Sequence, residues 1–433
     1  MGHGFIKDDF RWISESQAES AADALALFAR DNGFYRPLVS LSFAIDRALF
    51  GVRPFGYALT NLLVILAAAA VVHALARALA LSAGAAAFAA AAFLLNPHGI
   101  KDAILWISGR TSGLLTLLSL LAALAFVRGR VWWAAGGVLL ALFCKEEAVL
   151  LPAILAARAG FGARERLPTR LRLALLSSWP LFLPLPIYFV LRSMTNAYLP
   201  GTAPAHYRLS LDPGLIARNI LEYTDRACIV PLLALGFIAL AVRRRPRVDP
   251  GERGVLLWSL LWIAGGYGLT VWLPVRSSLY AVLPSVGAAL AGAGLAQALW
   301  REAAPGPRTK LLVAAALVPL LMVPLYRGRN RRTVREAELS TAALDDLTHA
   351  FADHYPKATF VLEDDPQAQP NLERSFGTLL EYALFVRTGR VRLVRYIPAP
   401  ATWTVAEIAP YRATGPRVVL TLRGGRLEEV GAE

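Results

Sequence analysis

Two stretches of this chain, LLVILAAAAVVHALA at 62–76 and LLALGFIALAV at 232–242, contain no formally charged residue and no helix-breaking proline. Apolar runs that approach twenty residues read as helices crossing a bilayer, because only a helix satisfies its own backbone in hydrocarbon. Composition agrees: 56% of the 433 residues are hydrophobic and only 18% are charged, with a mean hydropathy of +0.47. A soluble protein of that length needs more polar surface to cover its core. The expected class is a polytopic membrane protein, mainly α.

The formal net charge of +14 does not point to nucleic acid, because its placement is wrong for a single basic face. Arginines gather in short loops between apolar spans, at 128–130, 158–172, 243–247 and 301–310. That is the positive-inside pattern. With those loops in the cytosol, about ten spans are expected, near 58–77, 83–96, 111–127, 131–144, 147–158, 172–192, 226–242, 255–273, 279–299 and 311–326. The opposite face then receives residues 1–57, the loops at 96–110, 145–146, 193–225 and 274–278, and a tail from Arg327 onward. The N-terminus lacks an apolar h-region, so no cleavable signal peptide is expected. An outer N-terminus without a signal predicts one more span ahead of Met1 in the natural protein. Cys144 and Cys228 offer neither a disulfide framework nor metal-ligand spacing.

Three regions follow: 1–57, a first outer loop; 58–326, the transmembrane domain; and 327–433, a small soluble α/β domain. Within the first, Pro37 suits an opening helical turn, and Leu38, Leu41, Ile45 and Leu49 fall on one face. That pattern predicts an amphipathic helix lying on the membrane surface. In the third, strand-like ATFVLED and VRLVRYI flank a helical stretch, and RVVLTLRGGRLEEV alternates around Gly424-Gly425 as a hairpin does.

Charged residues near the outer ends of spans carry the candidate chemistry. Asp8 and Asp9, in GFIKDDFRWI, stand between apolar neighbours where a carboxylate can take a proton from a hydroxyl or hold a metal against a phosphate. A solvated turn or helix cap is the plainer reading of such a pair. His98, Lys101, Asp102, Trp106 and Arg110 follow in NPHGIKDAILWISGR. Trp106 also suits an interfacial belt, and Arg110 either binds phosphate or reaches for headgroups. In CKEEAVLLP, Lys145 and Glu146 form an ion pair or meet a donor phosphate. Arg276 in LPVRSSLY has the same two readings, and Arg36 in YRPL is placed for a phosphate contact.

Taken in order, FIKDDF, FYRPLVSLSFAIDRALFGVRPFGYALTNLL, AILWISGR, CKEEAVLLP and VRSSLYAVLPSVG resemble one family, over about residues 4–290. They are similar to the membrane domain of the transmembrane, tetratricopeptide-containing protein O-mannosyltransferases and their bacterial relatives, of the glycosyltransferase C (GT-C) superfamily. The resemblance implies an inverting, mannosyltransferase-like hexosyltransferase of the bacterial inner membrane. Its donor would be a polyprenyl-phosphate-linked sugar and its acceptor a glycan, lipid or protein hydroxyl on the non-cytoplasmic face. It implies catalysis by Asp8 or Asp9, and it matches Arg36, Asp102 and the Lys145-Glu146 pair to family motifs. Substrate contacts are expected from Arg36, His98, Asp102, Arg110, Lys145, Glu146 and Arg276. No resident cofactor is implied, although two aspartates leave room for a divalent cation. The chain departs from the family at His98, which stands at a shifted spacing with Ile100 in the other histidine's place, and at Cys144, which replaces serine. No tetratricopeptide array follows. A lipid or glycan transporter would instead place ionisable groups near mid-membrane and repeat one half in the other. A non-catalytic scaffold would make the tail the working part.

Overall fold

The computed structural model describes residues 4–30, 33–161, 167–199, 201–242, 247–302, 305–354, 359–365, 367–389, 394–397 and 417–432. The basic loops at 158–172, 243–247 and 301–310, and the first residues of the strand expected at 391–397, fall partly outside them. Each of the ten expected spans is helical. By length and apolarity, however, four helices among the described residues suffice to cross a membrane: Pro54–Ala78, Ile107–Val127, Ala174–Ser193 and Ser278–Glu302. A fifth arises if Ala83–Leu94 and Gly99–Leu105 are one span, bent by 62°. Val131–Leu142, at 12 residues, is apolar but short. The chain is thus an integral membrane protein with four to five candidate spans among the described residues, and others of the roughly ten expected spans are short or broken helices.

The 62° bend has a local cause. Pro97 cannot continue the first helix, and the Asn96 side-chain oxygen accepts from the backbone N–H groups of His98 (2.9 Å) and Gly99 (3.1 Å), starting the second. Asn96 also donates to the Arg226 carbonyl at 2.8 Å, which pins the bend to helix Pro213–Val242.

The surface helix forms over Pro37–Phe50 with proline in its first turn. Of the expected stripe, Ile45 (52% exposed) and Leu49 (69%) are exposed, whereas Leu38 packs against the core. The opposite face, with Val39, Phe43 and Asp46, is buried in the bundle, so this helix is also a wall of the protein.

A single helix, Pro305–His354, runs roughly 75 Å at 1.5 Å per residue and carries the chain into the C-terminal domain. The expected boundary at 327 lies inside it. Its end packs on a sheet of four strands: β1 (Thr359–Glu363), β2 (Val394–Ile397), β3 (Arg417–Arg423) and β4 (Arg426–Ala432). Their order is β2-β1-β3-β4, with β1 parallel to both neighbours and β3–β4 antiparallel. Gly424 and Gly425 both take positive φ (57° and 85°), the conformation a two-residue hairpin turn demands. Leu339, Ala343, Leu344 and Leu347 of the long helix share one core with Phe360, Leu362 and Leu420 of the sheet.

Candidate functional site

Burial splits the acidic pair. Lys7 takes a positive φ of 49°, unusual for a residue with a Cβ, and helix Asp8–Glu15 begins immediately after it. Both aspartates therefore occupy the first turn, where the helix dipole favours negative charge. Asp9 turns inward and is 1% exposed. Its Oδ2 accepts the Ile6 N–H (3.0 Å); its Oδ1 accepts the Ser108 N–H (2.7 Å) and the Ser108 hydroxyl. Burial pushes its carboxyl up to about 7, against those hydrogen bonds. Asp8 turns outward and is exposed, with protein atoms standing around it. Desolvation there raises its pKa, while Arg11, Arg36 and Lys7 pull the other way.

The helix that holds the pair is clamped from both sides. Trp12 stacks on Phe43 of the surface helix, with centroids 5.7 Å apart. On the side of the C-terminal domain Phe10 stacks on Phe376 at 5.9 Å, and the Lys7 N–H donates to the Ser375 carbonyl at 2.9 Å.

Asp8 lies within the field of Arg36, Arg11 and Lys7, and Tyr207 feels both Asp8 and Arg36. Arg36 makes a two-pronged pair with Glu146, Nε at 3.1 Å and a terminal nitrogen at 2.6 Å, and lies 4.3 Å over the Phe34 ring. Burial opposes ionisation of Glu146, but Arg36 outweighs it and holds the carboxyl down at about 2. The second terminal nitrogen of Arg36 has no partner among the described residues. Lys145 does not pair with Glu146. Its Nζ meets Glu147 at 2.7 Å and the Ser112 hydroxyl at 3.1 Å, and it lies 4.7 Å from the Tyr280 ring centre. The reason is local: Glu146–Leu150 is a tight 3-10 turn, and successive side chains leave it in different directions. Glu146 points outward to Arg36; Glu147 points inward to Lys145. Tyr207, raised in pKa by burial, feels Arg36, Asp8, Glu146 and Glu147.

Other expected residues sit elsewhere. Arg110 is fully buried. It pairs with Asp46, donates to Asn61 Oδ1 (2.8 Å) and to the carbonyls of Tyr57 (3.0 Å) and Ser42 (3.2 Å), and lies 4.5 Å over Phe43. This joins the surface helix to the span behind it, away from water. Arg276 pairs with Glu222, which Arg218 and Arg226 also hold. His98 accepts from Arg329 through Nδ1 at 2.9 Å; arginine can only donate, so that nitrogen carries no proton. Asp102 pairs with Lys101 at 2.9 Å, and Lys101 in turn reaches Thr333 at 2.8 Å. These two residues tie the bend to the long helix. Glu147 lies within CKEEAVLLP and Tyr280 within LPVRSSLY, although Glu146 is the expected partner of Lys145; nothing in the sequence marks Tyr207.

A divalent cation does not fit the pair as it stands. Both Asp9 oxygens already accept N–H or O–H donors, and Asp8 faces three cationic side chains. Among the described residues no group of three or more His, Cys, Asp or Glu side chains gathers as a metal site.

No family model and no curated protein sequence matches the chain. In three dimensions it is similar to the crystal structure of ArnT from Cupriavidus metallidurans bound to undecaprenyl phosphate. The TM-score is 0.53 at 13% identity, over 97% of this chain and 90% of that one. The likeness spans membrane bundle and C-terminal domain together, and it is a likeness of fold: this chain is built on an ArnT-like architecture.

Proposed function

We propose that the chain is a membrane glycosyltransferase that moves a sugar from a polyprenyl-phosphate donor to an acceptor hydroxyl at the non-cytoplasmic face of a bacterial inner membrane. The observation that carries this reading is the division of labour in the acidic pair: a buried Asp9 fixes the helix, and an exposed Asp8 stands in the field of Arg36, Arg11 and Lys7. The fold shared with a protein solved with undecaprenyl phosphate supports a lipid-phosphate donor.

Asp8 is then the general base. It takes the proton of the acceptor hydroxyl as that oxygen attacks the anomeric carbon, and the bond from that carbon to the phosphate oxygen breaks with inversion. Polyprenyl phosphate leaves into the bilayer. Negative charge grows on the departing phosphate, and the unpartnered nitrogen of Arg36 is preorganised to meet it. Glu146 holds the Arg36 fork, and Glu147, paired with Lys145, adds its charge to the field around Arg36. Arg110, His98, Asp102 and Arg276 act by positioning.

The test is Asp8→Asn in proteoliposomes supplied with a panel of polyprenyl-phosphate hexoses. Removing a general base lowers transfer by about 10²–10⁴-fold, with the fold unchanged because Asp8 anchors nothing. Wild-type rates in the variant would remove Asp8 from the chemistry.

A further inference from the structure

A cavity of about 910 Å³, sharing no lining residue with the acidic pair or its cations, lies between helices Ala83–Leu94, Pro213–Val242 and Val282–Glu302. Phe88, Ala91, Val230, Ala234, Ile238 and Trp300 form its walls. From Ser82 to Leu95 it runs roughly 20 Å by helical rise. Ala87, Ala91 and Trp300 remain exposed along it, so it opens sideways, where lipid stands. Its walls are apolar, but one end is not: Arg77, Gln297 and Arg301 close it at the face that carries the basic loops.

The polar groups at that end are unequal. Arg301 is held by Asp249 and by Glu252 (2.8 Å). Gln297 accepts the Ser82 N–H at 2.7 Å and donates to Glu252 at 2.9 Å. Arg77 differs: it donates to the Leu81 carbonyl at 2.7 Å, and no carboxylate pairs with it among the described residues. It is exposed. An uncompensated guanidinium at the headgroup end of a lipid-long apolar groove complements a phosphate with a hydrocarbon chain attached.

We propose that this groove is a binding site for an anionic phospholipid of the cytosolic leaflet, its chain along Phe88, Ala234 and Ile238 and its phosphate on Arg77. Trp300 lies at the level where interfacial aromatics meet headgroups. An occupant there fills the space between three helices whose outer ends hold Asn96, Arg226 and the Glu222 cluster, so it braces the bundle from the opposite face.

The experiment is native mass spectrometry of the full chain in detergent, titrated with phosphatidylglycerol or phosphatidylcholine of matched chains. Wild type should retain phosphatidylglycerol in preference. Arg77→Gln should reduce that preference about tenfold, as loss of one charge-assisted contact implies, and Arg77→Lys should keep most of it. Ala91→Trp, which fills the groove from its exposed side, should weaken both lipids alike. Equal retention of the two lipids by wild type, or undiminished preference in Arg77→Gln, overturns the proposal. So does displacement of phosphatidylglycerol by polyprenyl phosphate at substoichiometric amounts, which would give the groove a different occupant.

Discussion

Asp9→Asn separates anchoring from chemistry, and its effect can be worked from the geometry. Asp9 uses both oxygens as acceptors, one for Ile6 and one for Ser108. Asparagine has one acceptor oxygen, so whichever way its amide turns, an NH2 group faces a buried donor. Stranding the Ile6 N–H costs about 1–3 kcal/mol, nearly independent of pH. A second contribution does depend on pH. Burial raises the Asp9 pKa from 3.8 to about 7, so the fold holds the proton more tightly than the unfolded chain does. The stability linked to this group is therefore fully present below about pH 4 and is lost as pH climbs through 7. At 1.36 kcal/mol per unit the loss is at most about 4 kcal/mol. Asparagine does not titrate, so the variant lacks that slope. Thermal unfolding in detergent, followed by tryptophan fluorescence from pH 4 to 8, should show the stability advantage of wild type over Asp9→Asn shrinking as pH rises. Parallel curves for the two proteins would show that Asp9 is no buried acid, and the division of labour between Asp8 and Asp9 would fail with it.

Four further outcomes are expected. Arg110→Met leaves Asp46 buried without its partner and should cost about 3–5 kcal/mol in unfolding measurements; unchanged stability with lost donor binding would instead make Arg110 a phosphate ligand. Lys145→Met strands Glu147, both being 5% exposed at the side chain, and should destabilise by a similar about 3–5 kcal/mol. Glu146→Gln, at a carboxylate 35% exposed, should cost nearer about 1 kcal/mol, and equal losses in the two variants would contradict the pairing seen here. Because desolvation raises Asp8, transfer should fall with decreasing pH along a limb that lies above the ordinary 3.8; a kcat/KM profile with its limb at or below that value would count against Asp8 as the base.

Much of the architecture is legible in the residues, because it depends on local rules. Apolar runs give the helices, Gly424-Gly425 gives the hairpin, and Pro37 gives the start of the surface helix. Span number is less legible: a 12-residue apolar helix such as Val131–Leu142 looks like part of a crossing when only its hydrophobicity is visible. The site divides in the same way. Asp8 and Asp9 announce themselves, but which one is buried depends on Ser108, about a hundred positions away. The choice of Glu147 over Glu146 as the partner of Lys145 follows from a 3-10 turn that adjacent glutamates do not encode. For Arg110 a signal was present. Val39, Phe43 and Asp46 recur at helical spacing on one side of the surface helix, and an acid in line with two apolar residues is an acid about to be buried with a cation.

The clamp on helix Asp8–Glu15 makes the C-terminal domain something other than an exchangeable appendage. Ser375 and Phe376 form the shelf on which the first turn of that helix rests. A chain cut short before Asn371 keeps its greasy helices but lets the acidic turn sag, and a foreign tail grafted at the same point inherits the duty of rebuilding that shelf. Diversification of the tail is thereby tethered: its outer edge is free to drift toward new acceptors, while the few residues beneath Lys7 and Phe10 must stay in step with the membrane half.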